Sequence, residues 1–169
     1  MEKEIHKFEY RKGIYEGEAI NNVPHGTGKI VWENGNFFEG RFVHDVVSGY
    51  GKLYLKDIAL YEGVWKDNEF SYGTCTAKDE FGILYEAGAV YEGTFKDFLL
   101  TGFGKMIRYN SDVYEGEFCE GKPHGKGKLI HSDGTVIIGT WTNGEKDYGY
   151  TDEDYENAGG DAIFCKNNY

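Results

Sequence analysis

The sequence predicts an all-β chain: an elongated, twisted, single-layer antiparallel sheet of stacked β-hairpins. Two phrases repeated in register carry that prediction. The first is Tyr15-Glu16-Gly17, which returns as Phe38-Glu39-Gly40, Tyr61-Glu62-Gly63, Tyr91-Glu92-Gly93 and Tyr114-Glu115-Gly116. A degenerate sixth copy is Ile137-Ile138-Gly139, with Trp141 where Phe118 stands in the fifth. The second phrase is Gly26-Thr27-Gly28-Lys29, returning as Gly49-Tyr50-Gly51-Lys52, Gly102-Phe103-Gly104-Lys105 and Gly125-Lys126-Gly127-Lys128. Copies start 23, 23, 30, 23 and 23 residues apart, a period that marks a repeat array. No stretch between 14 and 144 has a 3.6-residue apolar period, so no helix is expected there.

The chain divides into a leading segment (1–13), six hairpin repeats (14–144, with an insertion at 77–88) and an acidic segment (145–169). In the first, Phe8-Glu9-Tyr10-Arg11 alternates and reads as a strand covering the edge of repeat one, since terminal repeats must face water on one side. Within repeat one, Tyr15-Glu16-Gly17-Glu18-Ala19 alternates with period 2, and Gly28-Lys29-Ile30-Val31-Trp32 is rich in β-formers. Asn21-Asn22-Val23-Pro24-His25 between them reads as a turn by composition.

The odd period fixes a register. If Tyr15 pairs with Ile30, the turn inside each repeat is even and the turn into the next is odd, with Ile30 opposite Phe38. Three-residue loops end in a left-handed residue, usually Gly, and Glu33-Asn34-Gly35 and Ser132-Asp133-Gly134 supply it. Gly17 then faces Gly28, leaving a gap on one sheet face over which aromatic rings can lie flat. On the other face Glu16 meets Lys29, Glu39 meets Lys52, Glu115 meets Lys128, and Glu92 meets Lys105 with one residue of drift allowed. Such pairs secure register more than stability, at about 0.2–1 kcal/mol each.

Repeat three departs from the pattern. Tyr72-Gly73 falls one residue early and the next Tyr-Glu-Gly arrives seven late, with 77–88 as the added material. A tolerated surface insertion is the expectation, because loop closure costs little. After 145 the repeat fades into Thr151-Asp152-Glu153-Asp154-Tyr155-Glu156-Asn157, an acidic run that either caps the array or stays free as an interaction segment.

Composition narrows function. Lys+Arg 18 against Asp+Glu 29 gives a net charge of −11, which argues against nucleic acid, whose binding rests on cationic side chains. It also opposes diffuse attraction to an anionic membrane. With 25 Gly, 2 Pro and 17% aromatics, the chain suits many tight turns and not disorder. No long apolar run and no charged-then-apolar leader follow Met1-Glu2-Lys3-Glu4, so a soluble intracellular protein is expected. Cys75, Cys119 and Cys165 show no metal-ligand spacing and read as reduced, incidental thiols.

The phrase Tyr-Glu-Gly-x-Phe/Trp, then a polar turn, then His-Gly-x-Gly-Lys, resembles the MORN (membrane occupation and recognition nexus) repeat. Residues 114–136 are the clearest copy and 15–37 nearly as clear, and the resemblance covers about 15–144. It implies the same sheet of stacked hairpins. It also implies a mostly non-enzymatic role: scaffold, cytoskeletal or ciliary component, membrane-junction protein or targeting module, with phospholipid or peptide binding.

No chemistry assembles from the remaining motifs. The Gly-x-Gly-Lys phrases lie on strands with no helix after them and match no phosphate loop. His25 and His124 read as turn residues of the repeat, and no Ser-His-Asp or Cys-His set forms. Asp152, Asp154 and Glu156 lack the central glycine of a calcium loop, where Asn157 stands. Neither a metal nor a cofactor is expected, and no enzyme activity.

The candidate sites are therefore surfaces. One is an aromatic groove of Tyr15, Phe38, Phe42, Tyr61, Trp65, Tyr91, Phe95, Tyr114, Phe118 and Trp141, expected to bind a helix or extended peptide, with basic residues favoured by the net charge, through the two or three rings left open. The other is a lysine row, Lys29, Lys52, Lys105 and Lys128, as a lipid headgroup stripe. The expected function is a protein-binding scaffold in the cytoplasm, with cytoskeletal or membrane association in keeping with the resemblance. Alternatives are a peripheral phospholipid-binding module and a docking subunit of a separate enzyme. Exposed terminal edge strands would also allow a homodimer.

Overall fold

A computed structural model describes residues 4–78 and 85–148. They form one antiparallel sheet of thirteen strands in chain order. The strands are β1 (Ile5–Tyr10), β2 (Gly13–Ile20), β3 (Val23–Trp32), β4 (Phe37–Val43), β5 (Val46–Leu55), β6 (Ala59–Lys66), β7 (Glu69–Ala77), β8 (Val90–Lys96), β9 (Leu99–Ile107), β10 (Val113–Cys119), β11 (Lys122–Ile130), β12 (Val136–Thr142) and β13 (Glu145–Lys146). Every strand pairs only with its neighbours in sequence. At about 4.8 Å per spacing the sheet runs about 58 Å across its strands, long enough that it must twist.

The register follows the sequence reading. Tyr15 faces Ile30 and Gly17 faces Gly28, while Ile30 faces Phe38. Glycine meets glycine on every strand from β2 to β12, in an unbroken line that starts at Gly17 and ends at Gly139. The line is bare so that rings can occupy it. A Cβ on Gly51 would lie 2.5 Å from Phe38 Cζ, and one on Gly127 would strike the Tyr114 ring. In repeat four Leu100 takes that position, 2.9 Å from a Cβ on Gly93.

Beyond the glycine line each hairpin bends. From Gly17 to Ala19 on β2 there are two steps, while β3 takes four between their partners Gly28 and Pro24. Extra residues of this kind kink a strand and increase its twist. The first glycine of Gly-x-Gly-Lys serves this bulge, with φ of +91° at Gly26, +106° at Gly49, +69° at Gly102 and +70° at Gly125. Repeat three, one residue short at Tyr72-Gly73, has the smaller bulge, Val64 and Trp65 opposing Tyr72 and Phe70.

The hairpins close through two-residue turns with both φ positive, the primed geometry that matches strand twist. Examples are Asn21-Asn22 (52°, 59°), His44-Asp45 (47°, 72°) and Asp67-Asn68 (51°, 70°). The turn is therefore tighter than composition suggested. Val23, Pro24 and His25 belong to β3, so His25 is a strand residue beside the bulge, as His124 is on β11. Apart from the insertion between β7 and β8, the loops into the next repeat are three residues, with Gly35 at φ +84° and Gly134 at +88° as expected.

The bent tips hydrogen-bond to one another. Asp45 N donates to Pro24 O at 3.0 Å, Asn68 N to Val47 O at 3.0 Å, Gly121 N to Leu100 O at 2.9 Å and Gly144 N to Pro123 O at 2.8 Å. The tips thus cover the ring-bearing face, and a single sheet acquires a core.

Candidate functional site

All ten residues of the expected aromatic groove lie in that core, between 0% and 4% exposed. Their rings meet edge to face across repeats: Tyr15 with Phe42 at 5.4 Å, Phe38 with Trp65 at 5.2 Å, Tyr61 with Phe95 at 6.2 Å and Tyr114 with Trp141 at 5.0 Å. Tyr114 also packs edge-on to Phe118 at 5.2 Å, and Tyr91 lies 4.3 Å from Tyr85. The polar tips are satisfied locally, Tyr15 OH donating to Glu18 O at 2.7 Å and Trp65 Nε1 to Gly51 O at 3.1 Å. Burial pushes the Tyr15, Tyr91 and Tyr114 hydroxyls up to about 12. The bulges explain why none of these rings stays open: they fold each hairpin tip over the rings.

The insertion contributes to the same core. Its residues 79–84 lie outside the described chain, but Tyr85 is buried. Its hydroxyl donates to Phe98 O at 2.9 Å and accepts from Leu100 N at 3.0 Å. The turn residue Phe98, in a left-handed conformation (φ +65°) costly for a bulky side chain, is held by these bonds and by its ring contacts with Tyr61 and Trp65. In the sequence Tyr85 closes an apolar run, Phe81-Gly82-Ile83-Leu84-Tyr85, which signals burial without saying which residue of the run supplies it. Cys75 is a free buried thiol pushed up to about 12 by burial. Cys119 lies on β10, and Cys165 lies outside the described residues. The acidic run from Thr151 lies outside the described residues.

The opposite face is open. Along its middle runs a row of charges at one register: Lys7, Glu16, Lys29, Glu39, Lys52 and Glu62 on β1 to β6, then Thr74 on β7, then Glu92, Lys105, Glu115 and Lys128 on β8 to β11. The facing pairs are as expected, but the lysines choose between two glutamates. Lys29 bonds Glu39 at 3.3 Å, Lys52 bonds Glu62 at 3.1 Å and Lys105 bonds Glu115 at 3.7 Å, each across the repeat boundary. Lys128 keeps its hairpin partner Glu115 at 3.0 Å, and Glu16 is taken by Lys7 at 3.0 Å. Hydrogen bonds from Lys52 and then Tyr50 hold the Glu62 carboxyl below the usual range. All four lysines of the proposed headgroup stripe are thus ion-paired.

Apolar rows flank the charges. One begins Ile14-Val31-Phe37-Tyr54 and ends Ile107-Val113-Ile130-Val136, one residue per strand on facing positions. The other, nearer the bulges, has Tyr50 facing Val64 and Val64 facing Tyr72. With Phe103 on β9 it forms an exposed patch, Tyr50 at 63%, Tyr72 at 54% and Phe103 at 75%. Sequence reasoning counted Tyr50 and Phe103 only as the variable residue of Gly-x-Gly; alternation from the buried glycines places them outward.

The fold and this surface define a hairpin-repeat array with one face packed shut and the other presented to solvent. No group of three or more metal-ligating side chains occurs among the described residues, and no helix there is long and apolar enough to cross a membrane. The family model for the MORN repeat matches residues 15–37, 38–57, 61–79, 91–113 and 114–136. Those spans cover well over half of the chain, which belongs to the MORN repeat family. The family is generally a non-catalytic repeat module. No curated protein matches the chain.

Proposed function

We propose that the protein is a non-enzymatic interaction scaffold whose open sheet face receives an elongated protein partner. The observation that carries this reading is the apolar row beside the charge row, which runs from β2 to β12 and is interrupted at Thr76 on β7. Apolar area and Tyr anchors supply affinity there, and the alternating charges supply register. The ten buried aromatics act as the frame that holds this face in shape. A net charge of −11 favours a partner with basic residues.

Membrane association is the second reading that the family supports. Ion pairing of Lys29, Lys52, Lys105 and Lys128 speaks against it, because a headgroup stripe needs free cations. Two measurements separate the readings. A photo-crosslinking residue at Val31 or Val113, on the open face, is expected to give discrete protein adducts in native lysate, and one at the tip residue Ile20 none. Vesicles containing phosphatidylserine are expected not to sediment the protein. Adducts spread equally over all three positions, or co-sedimentation at low salt, overturn the proposal.

A further inference from the structure

The charge row alternates in sign along the sheet with one interruption. On β7 the position that carries Lys29, Lys52, Lys105 and Lys128 in other repeats is Thr74, facing Glu62 on β6 and Glu92 on β8. Lysines elsewhere show what this register accommodates: Lys52 stands between Glu39 and Glu62, and Lys105 between Glu92 and Glu115. At Thr74 the two carboxylates remain and the cation is missing.

The surroundings are open and partly apolar. Glu62 is engaged from its far side by Lys52 Nζ at 3.1 Å and the Tyr50 hydroxyl at 3.0 Å. Lys105, the nearest cation to Glu92, bonds Glu115 at 3.7 Å, and Glu92 makes no ion pair among the described residues. Two residues along β7 from Thr74, on the same face, Tyr72 stands exposed with Val64 and Thr94 opposite it. The side chains of Glu62 and Glu92 start about 10 Å apart, two strand spacings. After both lean inward, that leaves room for one planar cation.

We infer that this interruption, together with the Tyr72 ring beside it, is the docking point for an arginine side chain of the protein partner. The inference rests on the scaffold reading above and specifies its chemistry. The guanidinium would sit over Thr74 with donors directed at both carboxylates, while the side chain lies against Tyr72. Apolar residues on either side of that arginine would reach Val64 and Phe103. Charge complementarity sets the choice: this is the point on the row where two adjacent charged positions share a sign and no lysine of the chain intervenes.

The test uses the full chain and a defined probe, acetyl-Leu-Arg-Leu amide, in a ¹⁵N NMR titration. Saturable shifts are expected at the Tyr72, Thr74 and Glu92 amides. They should weaken at least tenfold with citrulline in place of arginine. Thr74→Lys supplies the cation other repeats carry, so the variant keeps the fold, as its own spectrum reports, and should lose the binding at least tenfold. Glu92→Gln should weaken it as well. Equal shifts for arginine and citrulline, unchanged binding by Thr74→Lys, or no shifts at all overturn the inference. In any of those cases, adducts from Val31 still leave the scaffold reading standing, whereas their absence removes both.

Discussion

Replacing Gly127 with alanine probes the principle on which the sheet is built. The residue has no left-handed φ, so the cost is one of space. The three atoms nearest an added Cβ all belong to Tyr114, with Cζ at 2.5 Å. Carbon atoms rest at about 3.5–4.0 Å, so the ring must withdraw by about 1 Å. Tyr114 is 1% exposed and packed against Phe118 at 5.2 Å and Trp141 at 5.0 Å, so withdrawal disturbs both contacts. Overpacking costs about 1–3 kcal/mol, and an aromatic contact is worth about 0.5–1.5 kcal/mol, giving an expected loss of about 2–4 kcal/mol. Gly134→Ala is the control: nothing lies within 4 Å of its Cβ, and only the φ of +88° is penalised, at about 1–2 kcal/mol. Urea unfolding followed by circular dichroism and tryptophan fluorescence measures both. Repeating Gly127→Ala in a Tyr114→Ala background should reduce its cost to well under 1 kcal/mol, because the ring it strikes is gone. An equal cost in both backgrounds would refute the idea that glycine is there to receive the ring.

Other outcomes follow from the same geometry. Tyr85→Phe removes bonds to Phe98 O and Leu100 N and should cost about 1–3 kcal/mol, with the loss in unfolding midpoint showing that the insertion is part of the core. Cys75, its thiol raised to about 12 by burial, should resist a thiol reagent at pH 8 and react at the rate at which β7 opens. Asp112 is held below the usual carboxylate range, first by the Ser132 N–H at 2.9 Å and also by His131 at 3.0 Å. A depressed folded value means this stabilisation is present above the ordinary carboxylate pKa and is lost as pH falls through the folded value. Asp112→Asn should therefore destabilise the chain at neutral pH, and the difference should vanish in acid. Thr74→Lys should raise the unfolding midpoint slightly at low salt and not at high salt, since exposed pairs are screened.

Much of the fold was legible because two periodicities coincide. A 23-residue repeat fixes the strands, and the meeting of Tyr-Glu-Gly with Gly-x-Gly-Lys fixes which residues face which. Less legible was which face would close. The bulge decides that, and its mark in the sequence is one glycine, Gly26 in repeat one, whose φ of +91° shows only in three dimensions. Lysine partners were ambiguous for a related reason: at one register each lysine faces a glutamate on either side, and neither spacing nor charge chooses between them. Tyr85 could not be placed because an insertion has no repeat to align with.

The glycine line has a mechanical consequence. Strands without side chains at one register bend there together, so the ribbon carries a lengthwise crease from Gly17 to Gly139 with the tips turned over on one side. A flat strip flexes easily, whereas a strip folded along its length resists bending, as an angle bracket does. Thin as it is, the array should therefore behave as a stiff strut whose length grows by about 10 Å with every hairpin added.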